Sequence, residues 1–205
     1  YNTTGIRNAA FGNNTLENNS TGNYNTASGV YALKLNTTGT YNIADGYAAL
    51  RSNTSGHRNT ATVGYALYTN TTGTDNTSSG YNNLAYNTTG QHNSAFGAQA
   101  LKLNTTASNN TAVGGCALYA NTTGTNNVAT GRQALYANTS GGANTGIGHQ
   151  SLVSNTTGCR NTGLGQGSLY NNTTGGRGTA VGMYALLSNT TGANNTASGF
   201  YALKS

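Results

Sequence analysis

The chain has 205 residues, of which only 6% are charged, and it contains 30 glycines and no proline. Its net charge of +6 comes from nine dispersed lysines and arginines, without the basic patch that is typical of nucleic-acid binding. Three acidic residues, Glu17, Asp45 and Asp75, leave little for carboxylate catalysis or calcium binding, and no run approaches the ~20 apolar residues of a membrane span.

A unit of seventeen residues repeats from Asn2 to the end of the chain without insertion or deletion. Disordered repeats tolerate slippage, whereas an unbroken period predicts that each residue stacks on its equivalent in the next unit. Residues 1–205 are therefore expected to form one repeat array of twelve units without recognisable caps. The units start at Asn2, Asn19, Asn36, Asn53, Asn70, Asn87, Asn104, Asn121, Asn138, Asn155, Asn172 and Asn189.

The consensus unit is N-T-T-G-x-x-N-T-A-x-G-x-x-A-L-x-x, and its positions are numbered 1 to 17 below. Glycine at positions 4 and 11, with short apolar bursts between polar residues, indicates turns and strands rather than helices. The sequence therefore predicts an all-β fold, a parallel β-solenoid (β-roll) of twelve 17-residue coils, with two short strands in each coil.

Variability between units predicts which positions face inward. Positions 7, 9 and 11 are nearly constant as Asn, Ala and Gly, while positions 8 and 10 vary, so the first set is expected on the inner face of a strand. Adjacent Ala and Leu at positions 14 and 15 break this alternation and predict a corner. The order Val63–Gly64, where other units have Gly first, predicts a local bulge.

Leucine at position 15 is the one bulky residue that every unit shares, and it is expected to form an axial core ladder. Such a core is thin, so backbone ladders, stacked Asn and Thr side chains and association with other chains are expected to add stability. The ladder comprises Leu16, Leu33, Leu50, Leu67, Leu84, Leu101, Leu118, Leu135, Leu152, Leu169, Leu186 and Leu203.

Position 10 is expected to face outward, and its apolar members are candidates for an interface with another chain, although an irregular core is the alternative. These members are Phe11, Phe96, Val113, Ile147, Leu164 and Val181. Uncapped ends are expected to offer open strand edges for end-to-end pairing. Tyrosines recur at positions 13 and 16, where aromatic stacking between coils and ligand binding are both possible interpretations.

Units such as "NTAVGGCAL", "NSAFGAQAL" and "NTGIGHQSL" resemble the head repeats of trimeric autotransporter adhesins, the YadA-like heads. They are also similar to repeats of bacterial surface proteins and phage tail-fibre-like proteins. The resemblance implies a left-handed parallel β-roll with three chains to a head. The unit here is longer than the usual coil of that family, and Thr or Ser often replaces its apolar strand residues.

Every unit opens with an N-glycosylation sequon. One interpretation is a ladder of hydrogen-bonded Asn amides; the other is dense glycosylation, which a spacing of ~4.8 Å between coils would crowd. The better glycosylation candidates lie at variable positions, and ladder members are the weaker ones. The first group is Asn13, Asn18, Asn109, Asn171 and Asn194; the second includes Asn2, Asn36, Asn70, Asn121 and Asn189.

The remaining reactive side chains are scattered. Cys116 and Cys159 lie three coils apart, about 14 Å along the axis, beyond the ~7 Å limit for a disulfide. His57, His92 and His149 fall on separate coils, and no Cys or His spacing matches a metal site. No catalytic residue, metal or cofactor is expected.

These observations predict a non-enzymatic structural protein, extracellular or at the cell surface, that self-associates into a fibre, filament or adhesin. Its expected partners are other copies of itself, laterally or end to end, and surface receptors or glycans. A phage tail-fibre segment is one alternative. Another is an ice-binding solenoid, because Thr recurs at position 8, interrupted by Ile43 and Val128. The start at Tyr1 without Met is expected of a processed chain or a fragment.

Overall fold

A computed structural model describes residues 2–204, and within them the chain winds as an all-β parallel solenoid without a helix, which confirms the predicted fold class. Each coil contributes one three-residue strand, formed by positions 8 to 10 of the unit. The strands are β1 (Ala9–Phe11), β2 (Thr26–Ser28), β3 (Ile43–Asp45), β4 (Thr60–Thr62), β5 (Thr77–Ser79), β6 (Ser94–Phe96), β7 (Thr111–Val113), β8 (Val128–Thr130), β9 (Thr145–Ile147), β10 (Thr162–Leu164), β11 (Thr179–Val181) and β12 (Thr196–Ser198).

The strands form a single parallel sheet in sequence order from β1 to β12. Thr26 pairs with Ile43 and Thr162 with Thr179, seventeen residues apart, and this register holds along the sheet. Equivalent residues of consecutive coils therefore stack directly, as the constant period predicts.

The prediction of two strands per coil is wrong, because only positions 8 to 10 form a strand. Positions 12 to 17 form turns, although their backbone groups still bond between coils: Leu33 N–H donates to the carbonyl of Ala49 at 3.0 Å. The reason is local conformation. Positions 6, 13 and 15 take positive φ values in every coil, which no strand accommodates.

The repeated leucine is one of these left-handed residues. Leu33 has φ of 47° and Leu50 has φ of 49°, a conformation that costs an L-residue roughly 1–2 kcal/mol. Burial of the leucine side chain offsets this cost at about 2 kcal/mol, and the leucine carbonyl accepts the N–H of the next Asn, as in Asn36 to Leu33 at 3.1 Å. The predicted corner at positions 14 and 15 is thus a left-handed turn.

Glycine occupies position 11 in every coil except the fourth for a conformational reason, and the prediction that it faces inward is wrong. Gly29 has φ of 122°, and a Cβ there would lie 2.6 Å from the carbonyl oxygen of Gly46. Val63 occupies the same position in coil 4 with φ of 80°. Since β4 keeps its register with β3 and β5, the predicted bulge is also wrong: Val63 replaces the glycine without adding a residue.

Glycine at position 4 closes a compact turn. In coil 2 the N–H groups of Ser20, Thr21 and Gly22 all point at the carbonyl oxygen of Thr37, at 3.0–3.2 Å. Coil 7 has Ala107 at this position, and there only the first of the three bonds forms, from Thr105 to Thr122 at 3.2 Å. The added methyl group therefore loosens the junction between coils 7 and 8.

Candidate functional surfaces

A ladder of buried asparagines at position 1 runs along the solenoid. The Nδ2 of Asn36 donates to Oδ1 of Asn19 at 2.7 Å and to the carbonyl of Gly39 at 3.0 Å. The same two bonds recur in the neighbouring coil from Asn53. Each amide thus closes its own turn and joins the previous coil, which satisfies a polar group that would otherwise be costly to bury.

A second ladder, at position 7, interlocks with the first. Oδ1 of Asn25 accepts both the N–H of Asn42 at 2.9 Å and its Nδ2 at 3.2 Å. The Nδ2 of Asn25 reaches the carbonyl of Gly39 at 2.8 Å, so that carbonyl receives one amide from each ladder. Gly178 replaces the asparagine in coil 11 and keeps only the backbone bond, to Asn161 at 2.8 Å. Sequence reasoning placed position 7 inward but did not anticipate this second network.

The ladders bear directly on glycosylation. Asn36, Asn70 and Asn121 are buried with bonded amides, so they cannot carry a glycan in the folded protein; Asn2 is exposed and Asn189 half-buried. The candidates at variable positions all lie on the surface: Asn13, Asn18, Asn109, Asn171 and Asn194 are exposed. Their accessibility is compatible with modification.

The apolar core consists of alanines at positions 9 and 14 packed around the leucine ladder. The leucines from Leu16 to Leu186 are buried, whereas Leu203 in coil 12 is 59% exposed. In coil 10 the two alanines are exchanged for Gly163 and Ser168, and in coil 9 for Gly146 and Ser151. The two serine hydroxyls lie 2.8 Å apart, and Ser151 also donates to the carbonyl of Gly163 at 3.0 Å. In coils 9 and 10, the missing methyl group at position 9 thus leaves room for a buried hydroxyl at position 14.

The outward sheet face consists of positions 8 and 10 of the twelve strands. Position 10 residues Phe11, Phe96, Val113, Ile147 and Val181 are exposed, and Leu164 is half-buried. From coil 6 to coil 11 every coil places one apolar side chain on this face, with Val128 at position 8 supplying coil 8. We call this series the apolar strip. It comprises Phe96, Val113, Val128, Ile147, Leu164 and Val181.

A tyrosine cluster covers a different side of coils 2 to 5. It comprises Tyr31, Tyr47, Tyr65, Tyr68 and Tyr81, at positions 12, 13 and 16. The ring centroid of Tyr65 lies 5.2 Å from that of Tyr47, 5.6 Å from Tyr68 and 6.0 Å from Tyr81, each in an edge-to-face arrangement. Partial burial, followed by the neighbouring Tyr47, raises the pKa of Tyr65. Aromatic contacts between coils, which the sequence suggested, are therefore present here.

Cations accompany several tyrosines. The Lys34 ammonium lies 5.1 Å from the Tyr31 ring centroid, and the Arg51 guanidinium lies 5.6 Å from that of Tyr68. Farther along the rod Lys102 lies 5.6 Å from the ring centroid of Tyr119, which stacks on Tyr136. Position 16 thus provides repeated cation–π contacts on this side.

One ion-pair network lies at position 6. The Arg58 guanidinium donates to both carboxylate oxygens of Asp75, at 2.6 and 2.8 Å, and the His92 ring lies 3.7 Å from the same carboxylate. The hydrogen bond from Arg58 is the main reason that the pKa of Asp75 lies below its usual value. The bidentate pair joins two consecutive coils and is therefore a structural contact.

The cysteines and histidines stay apart. Cys116 is half-buried and Cys159 exposed, and both are free. Within residues 2–204 no group of three His, Cys, Asp or Glu side chains could hold a metal ion. The same range has no helix that is long and apolar enough to cross a membrane. Comparisons with protein-family models, curated proteins and solved structures found no match for this chain.

Proposed function

We propose that the protein is a non-enzymatic structural rod of the extracellular space or cell surface, which self-associates through its outward sheet face into a fibre, filament or adhesin. The observation that carries this proposal is the apolar strip, in which six consecutive coils each place one apolar side chain on the same sheet face, five of them exposed and Leu164 half-buried. Isolated exposed apolar residues are ordinary, but a contiguous row is typical of an interaction surface.

The composition of the face supports a protein contact. Serine occupies position 10 in coils 2, 5 and 12, so the fold does not require an apolar residue there. Because the strip is not needed inside its own chain, a second copy that covers it would gain the free energy of removing it from water. The resemblance to surface-adhesin head repeats is consistent with this assignment. End-to-end growth would extend the same Asn and backbone ladders from one chain into the next.

Sedimentation velocity of the purified chain at micromolar concentration tests the proposal. We expect an oligomer that dissociates when Ile147 and Val181 are both replaced by Ser, the residue that other coils carry at position 10. Met183→Ser is the matched control: Met183 is 39% exposed and Val181 40%, but Met183 lies at position 12, off the sheet face. A wild-type chain that is monomeric at micromolar concentration would contradict the proposal, and so would equal effects of the Ile147 and Val181 double variant and of Met183→Ser.

Ice binding is a second candidate that one observation favours. The outward sheet face is a regular two-column array in which Thr or Ser predominates at position 8 and Thr62 and Thr130 extend the hydroxyls to position 10. Asp45 is the sole charged residue on this face among residues 2–204. A thermal-hysteresis measurement on the isolated chain distinguishes the two candidates, since clear activity would favour ice binding over self-association.

A further inference from the structure

We propose that the tyrosine cluster, together with Arg51 and Lys34, binds the anionic sugar residues of an acidic glycan. This site lies on coils 2 to 5, away from the apolar strip on coils 6 to 11. The inference therefore adds a binding function to the proposed rod. It is independent of self-association, so the failure of one proposal would leave the other intact.

The site is a concave surface with exposed aromatic rings. A cavity of about 280 Å³ is lined by Tyr31, Lys34, Tyr47, Arg51, Tyr65 and Tyr68. This is close to the lower end of the roughly 300–1,000 Å³ that is typical of small-ligand sites. Tyr47 is 48% exposed and the adjoining Tyr81 is 51% exposed, so ring surface remains free to stack on a ligand.

The rings are held in place before any ligand arrives. Tyr65 contacts Tyr47, Tyr68 and Tyr81 edge to face, and Tyr47 contacts Tyr31 at 5.9 Å. Aromatic side chains lose little conformational entropy on binding, because they have two rotatable side-chain bonds. The polarised C–H groups on one face of a sugar ring fit the negative face of such an aromatic ring. A row of fixed phenols therefore suits a chain of sugar rings.

The cations select the charge of the ligand. Arg51 donates to the hydroxyl of Tyr68 at 3.2 Å, and no carboxylate of residues 2–204 forms an ion pair with it. Lys34 contacts Glu17 at 3.2 Å and is partly neutralised. A guanidinium with unused donors favours a carboxylate or sulfate, which it binds through two parallel hydrogen bonds. The same cations repel a quaternary ammonium ligand, so the cluster is not an aromatic cage for such a group.

The small size of the site and its two cations disfavour a protein or a nucleic acid as the ligand. A protein interface needs about 800 Å² on each side, with an apolar centre, whereas this lining consists of phenols and cations. Single-stranded nucleic acid also stacks on aromatic rings, but its backbone requires a positively charged groove that tracks the strand. Two cations, one of them already paired, do not provide such a groove. An acidic oligosaccharide is the ligand that fits both the rings and the charge.

Isothermal titration calorimetry of the full chain with tetragalacturonate, its methyl ester and a sulfated heparin tetrasaccharide tests the site. We expect saturable binding of at least one anionic sugar with Kd of about 1 mM or tighter, weakened by salt, and no binding of the uncharged ester. The stronger of the two anionic ligands identifies whether carboxylate or sulfate is recognised. Tyr47→Ala and Arg51→Gln should each weaken binding about tenfold.

Tyr119→Ala is the matched control. Tyr119 also carries a cation–π contact and stacks on a tyrosine of the next coil, but position 12 of coils 6 to 8 holds Ala98, Gly115 and Arg132 rather than tyrosine. Circular dichroism checks that each variant retains the fold. The inference is overturned if the ester binds as tightly as the acid, if both anionic sugars fail to bind, if Tyr119→Ala weakens binding equally, or if oligothymidylate or tetramethylammonium binds more tightly.

Discussion

Gly163→Ala is expected to destabilise the protein although it restores the consensus residue of position 9. A Cβ at Gly163 would lie 2.6 Å from the hydroxyl oxygen of Ser151 and 2.7 Å from that of Ser168. Both serines are fully buried, and their hydroxyls bond to each other. The methyl group must therefore displace both hydroxyls and leave at least one without its partner.

The size of the effect follows from these contacts. Forcing a methyl group into a packed core costs roughly 1–3 kcal/mol, and a broken buried hydrogen bond adds about 1 kcal/mol. Gly163 has no positive φ, so the alanine recovers about 0.4–1 kcal/mol through the unfolded state. We therefore expect a net loss of about 1–4 kcal/mol in the free energy of unfolding.

Gly146→Ala is the matched control, because Gly146 occupies the same position one coil earlier. A Cβ there would meet Leu135 and the carbonyl of Ser151 at 3.4 Å, which is ordinary contact. This variant should be neutral, or more stable by up to about 1 kcal/mol. Adding Ser151→Ala and Ser168→Ala to Gly163→Ala should restore most of the lost stability, since it recreates the alanine-packed coil.

Urea denaturation followed by circular dichroism measures these differences. Because repeat arrays need not unfold in one step, a local measurement is also needed. Native-state hydrogen exchange at the amides of Leu152 and Leu169 measures the loss of stability in coils 9 and 10. Equal changes in stability for Gly146→Ala and Gly163→Ala would refute the explanation that Gly163 leaves room for the two buried serine hydroxyls. Failure of the serine replacements to restore stability would refute it as well.

Three further predictions concern the core, one turn and one ion pair. Leu101→Ala should cost ~2–5 kcal/mol by leaving a cavity in the ladder, whereas Lys102→Ala, on the surface beside it, should cost ~0.5 kcal/mol or less by the same denaturation assay. Val63→Gly should increase the free energy of unfolding by about 1 kcal/mol and so raise the thermal midpoint, because it removes the backbone strain of a β-branched residue at positive φ. A lower midpoint would contradict this. The folded-state pKa of Asp75 is depressed, so the stabilisation from its bond to Arg58 is present above the unfolded pKa of about 3.9 and is lost as pH falls through the lower folded value. Acid titration of wild type and Asp75→Asn should therefore show their stabilities converging as pH falls, and a constant difference would argue against this pair.

The sequence was sufficient for the fold class because one constraint dominates it. A fixed period means that Leu33 must stack on Leu50 and Asn36 on Asn53, and only a parallel solenoid stacks every residue in this way. The alternation of constant and variable residues also placed Ala27 inside. Register, strand direction and the inward side of the strand all follow from that regularity.

The turns could not be derived in the same way. Left-handed backbone is normally read from glycine or asparagine, yet Tyr31, Leu33 and Arg58 adopt it here. Nothing in a single sequence marks such residues as left-handed, which explains why the sequence predicts a second strand. Coil-to-coil bonds stabilise these conformations, and a sequence does not display those bonds. Threonine or serine also occupies position 3 in every unit, and nothing in the coil packing explains that constancy.

The sequence indicates only part of the tyrosine cluster. Tyr31, Tyr65 and Tyr68 belong to positions 13 and 16, where tyrosine recurs, but Tyr47 and Tyr81 lie at position 12, which holds a different residue in most units. Their contribution depends on the direction in which position 12 projects from the turn. Because positive φ at position 13 redirects the chain there, only the structure brings the two sets of rings together.

The rod can carry separate surfaces because different positions of the repeat unit form the core and the exterior. Positions 1, 7, 9, 14 and 15 carry the ladders and core, so a change there affects the neighbouring coils, as Ala107 does from position 4. Positions 10, 12, 13 and 16 point outward, and their residues change from coil to coil without disturbing the register. Each coil contacts only its neighbours, so such a change acts locally. The array can therefore hold a cationic aromatic surface on coils 2 to 5 and an apolar strip on coils 6 to 11, and either can vary while the other is retained.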